Sequence, residues 1–258
     1  MKHEQYNSKP LKSIIFFIAL SIMAHLPGYA QNVRVAAAAN LQSVIEALQK
    51  DFRQKTGIVI EPVIGSSGKL VAQISNGAPF DVFLSADMSF PETLFKNGFA
   101  TDKPVVYAQG SLIICSWQNI GFNNWERLLL TARVKKIAIA NPAIAPYGKA
   151  AEEVLKRKGI LDDVKSKTVY GESISQVNTY ITTGVADIGF TTQSFIKETE
   201  HKTALYYKVI NPKDYTPILQ GMVILKHGAG NAGAEKFYRY ILSPAAKSIF
   251  TSYGYHMQ

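Results

Sequence analysis

Short apolar runs alternate with segments of helical period from Val33 onward, and that alternation admits few folds. Val33-Arg34-Val35-Ala36-Ala37-Ala38-Ala39 reads as a strand. Leu41, Val44, Ile45, Leu48 and Phe52 follow at the spacing of one helix face, with Asn40 at the junction as an N-cap. A strand over Gly57 to Ile64 comes next, then a Gly65-Ser66-Ser67-Gly68 turn, a short helix from Lys69 to Ser75 and a strand from Asp81 to Ser85. This βαβαβ order is the unit of a parallel sheet. The pattern resumes with a strand at Leu112 to Cys115, a helix near Trp125 to Leu130, a strand at Lys136 to Ala140 and a helix from Tyr147 to Lys158. It continues through Ser173–Thr182 and Asp187–Phe190, a strand at Met222 to Leu225, and closing helices over Ala234–Leu242 and Pro244–Tyr253.

Periodicity lapses at Tyr107-Ala108-Gln109-Gly110 and again from Pro217 to Gly221, which predicts two α/β blocks with the chain crossing between them twice. The expected organisation is a first lobe of residues 31–108 and 222–258 and a second lobe of residues 109–221. Residues 1–30 read as an export segment: Lys2, Lys9 and Lys12 precede the apolar run Ile14 to Leu20, and Gly28-Tyr29-Ala30 is a small-x-small cleavage pattern. The apolar run is shorter than the ~20 residues a membrane span needs. Cleavage near Ala30 starts the mature chain at Gln31 and places it in the periplasm. The single cysteine, Cys115, lies within Leu112-Ile113-Ile114-Cys115 and reads as a core thiol, so no internal disulfide is available.

A net charge of +9 favours acidic partners, but the basic residues are scattered among acidic ones, and no aromatic-plus-basic recognition motif accompanies them. Nucleic acid is therefore not an expected partner, while a modestly basic exterior steers anions at long range.

In open α/β sheets, ligands bind beyond the carboxyl ends of the strands, so the strand-to-helix loops carry the chemistry. Four share a character: Asn40-Leu41, Gly65-Ser66-Ser67-Gly68, Ala145-Pro146-Tyr147-Gly148 and Gly171-Glu172-Ser173-Ile174. Each joins small or turn-forming residues to a helix start, where unpaired N–H groups and the helix dipole hold an anion without Lys or Arg. Ser66 and Ser67 each offer a hydroxyl and a backbone N–H, although a serine-rich turn also reads as an ordinary helix cap. The turn is neither a P-loop nor a Gly-x-Ser-x-Gly nucleophile elbow.

A hydrolase built on Ser66 or Ser67 needs a histidine base. His3 and His25 fall in the export segment, His256 in the tail, and His201 and His227 in polar surroundings, which reads as solvated. Asp81 and Asp187 read as turn formers and Asp87 as a cap of the following helix. No His/Cys/carboxylate spacing suggests a metal site. A metal-chelate receptor would need a tyrosine or carboxylate cluster, and no local spacing gathers the thirteen tyrosines.

Ala36-Ala37-Ala38-Ala39-Asn40-Leu41, Gly65-Ser66-Ser67-Gly68-Lys69-Leu70, Asn76-Gly77-Ala78-Pro79-Phe80-Asp81-Val82-Phe83-Leu84-Ser85-Ala86-Asp87, Ala140-Asn141-Pro142-Ala143-Ile144-Ala145-Pro146-Tyr147-Gly148 and Ser252-Tyr253-Gly254-Tyr255 occur in that order. In this the chain resembles the periplasmic molybdate-binding proteins of ABC importers. The resemblance implies a non-enzymatic, monomeric receptor: two lobes, each a mostly parallel sheet flanked by helices and joined by a hinge near Gly110 and Gly221, closing on molybdate or tungstate and presenting it to a membrane permease. No cofactor is implied. Carried over by position, the oxyanion ligands are Asn40 and Ser67 from the first lobe, and Tyr147 and the backbone N–H of Ile174 from the second. Ala39, Ser66 and Thr192 are additional candidates. Some family members have a serine at the position of Asn40 and a tyrosine at that of Thr192, so the Tyr147 phenol is a candidate to replace the missing donor. Another tetrahedral oxyanion such as sulfate would need only a slightly smaller cavity.

Overall fold

The computed structural model describes residues 32–200 and 204–257, so the export segment and His201 lie outside the described residues. Two five-stranded sheets, each flanked by helices, form a two-lobed α/β fold. The first sheet has the order β2-β1-β3-β10-β4, from β1 (Val33–Ala38), β2 (Ile60–Gly65), β3 (Val82–Leu84), β4 (Val105–Gly110) and β10 (Ile218–Ile224). The second has the order β7-β6-β8-β5-β9, from β5 (Leu112–Ser116), β6 (Ile137–Ala140), β7 (Thr168–Gly171), β8 (Ile188–Thr192) and β9 (Tyr206–Val209). In each sheet three adjacent strands at one edge are parallel, β2-β1-β3 and β7-β6-β8, and the strands at the crossings run antiparallel: β10 against β3 and β4, β5 against β8 and β9.

β1 shows why a nearly all-apolar strand forms here. Val33, Val35 and Ala37 point into one core with Leu41 and with Val44, Ile45, Leu48 and Phe52 of α1 (Gln42–Thr56), while Ala36 points into another with Leu70 and Ile74 of α2 (Ser67–Ser75). Both faces are covered, as expected of a parallel sheet. Phe237 of α9 (Ala232–Ile241) and Phe250 of α10 (Pro244–Ser252) join the first core, so the closing helices pack on the lobe that contains β1. The left-handed Gly57 (φ 73°) ends α1, where a residue with a Cβ would be strained.

The remaining helices are α3 (Ser89–Lys96), α4 (Trp125–Leu130), α5 (Pro146–Arg157), α6 (Leu161–Val164), α7 (Ile174–Thr182) and α8 (Ser194–Thr199). None of the described helices is long and apolar enough to cross a membrane. Cys115 is fully buried in β5, and burial pushes its thiol pKa up.

The crossings differ in detail from the sequence expectation. Residues 107–110, read as a lapse in periodicity, belong to β4, and residues 218–221, assigned to the second lobe, pair in the first sheet. The chain passes between sheets from Gly110 to Leu112 and from Val209 to Ile218. Gly110 and Gly221 lie in strands without positive φ and serve close approach. A Cβ on Gly110 would stand 1.9 Å from the Tyr147 hydroxyl, and one on Gly221 would stand 2.5 Å from Met88 Sδ.

Candidate functional site

The parallel strands β1, β2, β6 and β7 end facing the space between the lobes, and each feeds a short loop into a helix or 3-10 turn. A narrow cavity of about 10 Å³ lies there. Ala38, Ala39, Asn40, Ser66, Ser67 and Ala86 line it from the first lobe, and Ala145, Pro146, Tyr147 and Ile174 from the second. No lining residue carries a formal charge.

Each turn is shaped to spare its donors. Gly65 closes β2, and α2 begins at Ser67, so the Ser67 N–H stands in the first turn, where no intrahelical carbonyl reaches it. Ile174 holds the same place in α7, behind an N-cap at Ser173 whose hydroxyl accepts from the Gln176 N–H. Pro146 opens α5 with no N–H to leave unpaired, bringing Tyr147 into the first turn.

The serines do not behave as a cap. Ser66 sits at the N-cap of α2, yet its hydroxyl makes no capping bond and is buried without a partner. Ser67 Oγ accepts from the Ala86 N–H at 3.0 Å, which leaves its own hydroxyl proton uncommitted. Buried, unspent donors beside a cavity of this kind are what an anion site requires.

Behind the cavity the structure places a buried neutral network. Tyr147 Oη accepts from Thr192 Oγ1 and from Gln220 Nε2, both at 3.2 Å. Asn40 Nδ2 donates to Gln220 Oε1 at 3.1 Å and to Tyr255 Oη at 3.2 Å, while the Tyr255 hydroxyl donates to the Asn40 carbonyl at 2.7 Å. Asn40 is therefore not a side-chain cap: a 3-10 turn, Ala39–Leu41, precedes α1, whose N-cap is Leu41, and the amide is drawn into the network instead. Burial raises the pKa of Tyr147 well above the ordinary phenol value and that of Tyr255 to about 12, so both stay protonated at neutral pH.

Of the sequence candidates, Ala39, Asn40, Ser66, Ser67, Tyr147 and Ile174 surround the cavity. Thr192 lies behind it, at the Tyr147 hydroxyl, which points at the inter-lobe network and Gly110. Ala86 lines the cavity, and Gln220, Tyr107, Ser194 and Tyr255 back it; all went unmarked by the loop argument. Gln220 stands as an amide inside the apolar run Ile218-Leu219-Gln220-Gly221-Met222, the local signal that could have found it, while Ala86 and Tyr255 lie within the quoted motifs.

The lobes also touch directly. The Gly68 N–H donates to the Ile144 carbonyl at 3.0 Å, Lys69 pairs with Glu172 at 2.6 Å, and Ser43 Oγ donates to Glu198 at 2.6 Å.

Neither described histidine reaches the serines. His227 Nδ1 meets Asp81 Oδ1 at 3.1 Å, and His256 Nε2 meets Ser111 Oγ at 3.1 Å. Asp81 also accepts from the Arg34 N–H, Asp87 from the Phe90 N–H, and Asp187 from the N–H groups of Lys135 and Lys136. These carboxylates order backbone. Among the described residues no group of three or more His, Cys, Asp or Glu is placed to hold a metal ion.

Residues 33–256 match the family model described as bacterial extracellular solute-binding protein. The chain belongs to that family. This solute-binding protein is 36% identical over 240 residues to the molybdate-binding protein of Rhodobacter capsulatus, covering 92% of this chain and 93% of that one. It is 35% identical over 230 residues to the molybdate-binding protein of Azotobacter vinelandii, covering 89% and 91%. The solved structure of the Azotobacter vinelandii periplasmic molybdate-binding protein superposes with a TM-score of 0.83 over 88% of this chain and all of that one, at 35% identity. A solute-binding protein captures its ligand without transforming it.

Proposed function

We propose that this solute-binding protein captures molybdate, and with it tungstate, in the cavity between its lobes and delivers the oxyanion to the membrane permease of an ABC importer. It acts as an exported, periplasmic monomer. The observation that carries the reading is the lining itself: uncharged residues with unspent donors at Ser66 and Ser67, and helix-start N–H groups at Ser67 and Ile174. The residues proposed to hold the oxyanion are Asn40, Ser67 and the helix-start N–H groups of Tyr147 and Ile174, with Ala39 and Ser66 beside them; the Tyr147 hydroxyl, the donor expected from the sequence, is turned instead into the network behind the cavity.

Hydrogen bonds to a charged group contribute roughly 1.5–3 kcal/mol each, so about six give on the order of 9–18 kcal/mol before ordering and desolvation costs. Submicromolar to nanomolar binding, about −8 to −12 kcal/mol, is reachable on that basis without a cationic side chain. A lining of donors rejects protonated anions, whose O–H would meet another donor, and so disfavours phosphate near neutral pH. Sulfate is excluded only by size, through how closely the lobes approach.

Isothermal titration calorimetry with molybdate, tungstate, sulfate and phosphate at one pH and ionic strength tests the reading. One-to-one heat with molybdate and tungstate alone is expected. Binding of sulfate alone would overturn the ligand and keep the oxyanion site, and silence from all four would overturn both.

A further inference from the structure

The buried network behind the cavity contains a conflict that points to a role for Gln220. A phenol has one proton. The Tyr107 hydroxyl faces two acceptors, the Ser85 carbonyl at 3.0 Å and Gln220 Oε1 at 2.8 Å, and can satisfy only one. Burial holds its pKa well above the ordinary phenol value, so the proton count is fixed at neutral pH. At the far end of the network Asn40 Oδ1 is buried with no hydrogen-bond partner, on a residue that lines the cavity. An unpaired acceptor there would repel an oxyanion.

The Tyr107 conflict disappears, and the unpaired acceptor becomes an unpaired donor that an anion would satisfy, if the two amides turn end for end, which moves no heavy-atom position. Gln220 Nε2 then donates to Tyr107 Oη and to Asn40 Oδ1, and Tyr107 keeps its proton for Ser85. Gln220 Oε1 accepts from the Tyr147 hydroxyl, which still accepts from Thr192. Tyr255 turns its proton to Asn40 Oδ1, and the Asn40 carbonyl retains the Ser194 hydroxyl at 3.1 Å. Asn40 Nδ2 is left free at the cavity. The network thus has two orientations, one offering the cavity an acceptor and the other a donor.

We propose that Gln220 is a positioning residue for the oxyanion site: ligand binding selects the turned orientation, in which Gln220 donates to Asn40 and makes the Asn40 amide a donor to the anion. Gln220 is fully buried in β10, where the pairing with β4 slips at Gln220/Gly221. A slip of this kind re-aims side chains, here bringing Tyr107 against the amide. Because Gln220 also meets Tyr147 of the second lobe, the turn couples both lobes to the ligand.

The proposal rests on the oxyanion reading and is tested with molybdate by a double-mutant cycle of Gln220→Met and Asn40→Ala, read by calorimetry. Each single variant is expected to weaken binding about tenfold or more, the loss of one hydrogen bond to a charged group. In the Asn40→Ala background Gln220→Met is expected to cost less than about threefold, since its effect passes through Asn40. Additive losses would overturn the role of Gln220 while leaving the site intact. Wild-type silence toward molybdate, tungstate, sulfate and phosphate would overturn the functional reading and this proposal with it. Should Gln220→Met fail to fold, NMR of wild-type protein carrying 15N-asparagine decides, with the Asn40 side-chain signal assigned from Asn40→Asp. Saturating molybdate is expected to shift and protect the Asn40 NH2 signals, and unchanged signals would overturn the proposal.

Discussion

Gly68 and Ile144 meet backbone to backbone across the cleft: the Gly68 N–H donates to the Ile144 carbonyl, and a Cβ on Gly68 would lie 2.9 Å from Ile144 Cβ and 3.0 Å from its Cα. The contact joins the first turn of α2 to the loop before α5, directly beside the cavity. Gly68→Ala is expected to hold the lobes apart by a few tenths of an ångström or more and to weaken molybdate binding about tenfold or more, by loosening the donors around the ligand. Thermal unfolding without ligand should move little, because neither lobe's own core is touched. Calorimetry beside a melting curve checks both halves, and unchanged affinity would remove this contact from the closed state.

Ser67→Ala removes a donor to the proposed ligand and also the acceptor of the Ala86 N–H. The variant should lose molybdate affinity about tenfold or more and be less stable by about 1–3 kcal/mol, because a buried N–H is left unpaired. Chemical denaturation and calorimetry on the same preparation separate the two effects. An unchanged affinity would take Ser67 out of the site.

No residue lining the cavity carries a side chain that titrates between about pH 6 and 9, so molybdate affinity should be nearly flat over that range. Stability behaves differently at high pH. Burial raises the pKa of Tyr255 from about 10 to about 12, so the native state holds this proton more tightly than the unfolded chain. The stabilisation is complete below about pH 10 and is lost as pH rises towards 12. Tyr255→Phe should flatten that part of the stability curve, which melting temperatures across the range would show.

Lys69 and Glu172 form an ion pair across the cleft, but both side chains are about half exposed. Such pairs contribute about 0–1 kcal/mol and are screened by salt. Lys69→Gln should therefore change affinity less than about fivefold at physiological ionic strength, and still less in high salt. A larger, salt-insensitive loss would show that Lys69 acts on the ligand itself.

Cys115 is fully buried, with its thiol pKa pushed up. An aqueous disulfide reagent should fail to label it in the native protein and label it fully in denaturant. Rapid native labelling would contradict the packing of β5.

Where the core repeats in register, the sequence announces it. Val33, Val35 and Ala37 alternate on β1, and Leu41 followed by Val44, Ile45, Leu48 and Phe52 of α1 recurs at helical spacing, so this part of the first lobe was legible. β9 was not, because all four residues of this edge strand are exposed and show no alternation. β4 was read as a break because Gln109 and Gly110 interrupt its apolar pattern, yet Gly110 is there to admit the Tyr147 hydroxyl. The loop residues around the cavity were legible because each opens a helix or 3-10 turn after a parallel strand. Asn40 was misread as a cap because its partners, Gln220 and Tyr255, stand 180 and 215 residues away, beyond the reach of any local signal.

The antiparallel β10 sits between β3 and β4, and the Gln109–His256 bridge ties β4 to the last residues of the chain. The second sheet, by contrast, draws its strands from one unbroken stretch, Leu112 to Val209. During synthesis the second lobe can therefore close its core while the first still lacks an interior strand, leaving β3 and β4 with bare edges until the final part of the chain arrives. The half of the molecule that begins first is completed last, and a truncation near the carboxyl terminus would damage the lobe that contains the amino-terminal strands.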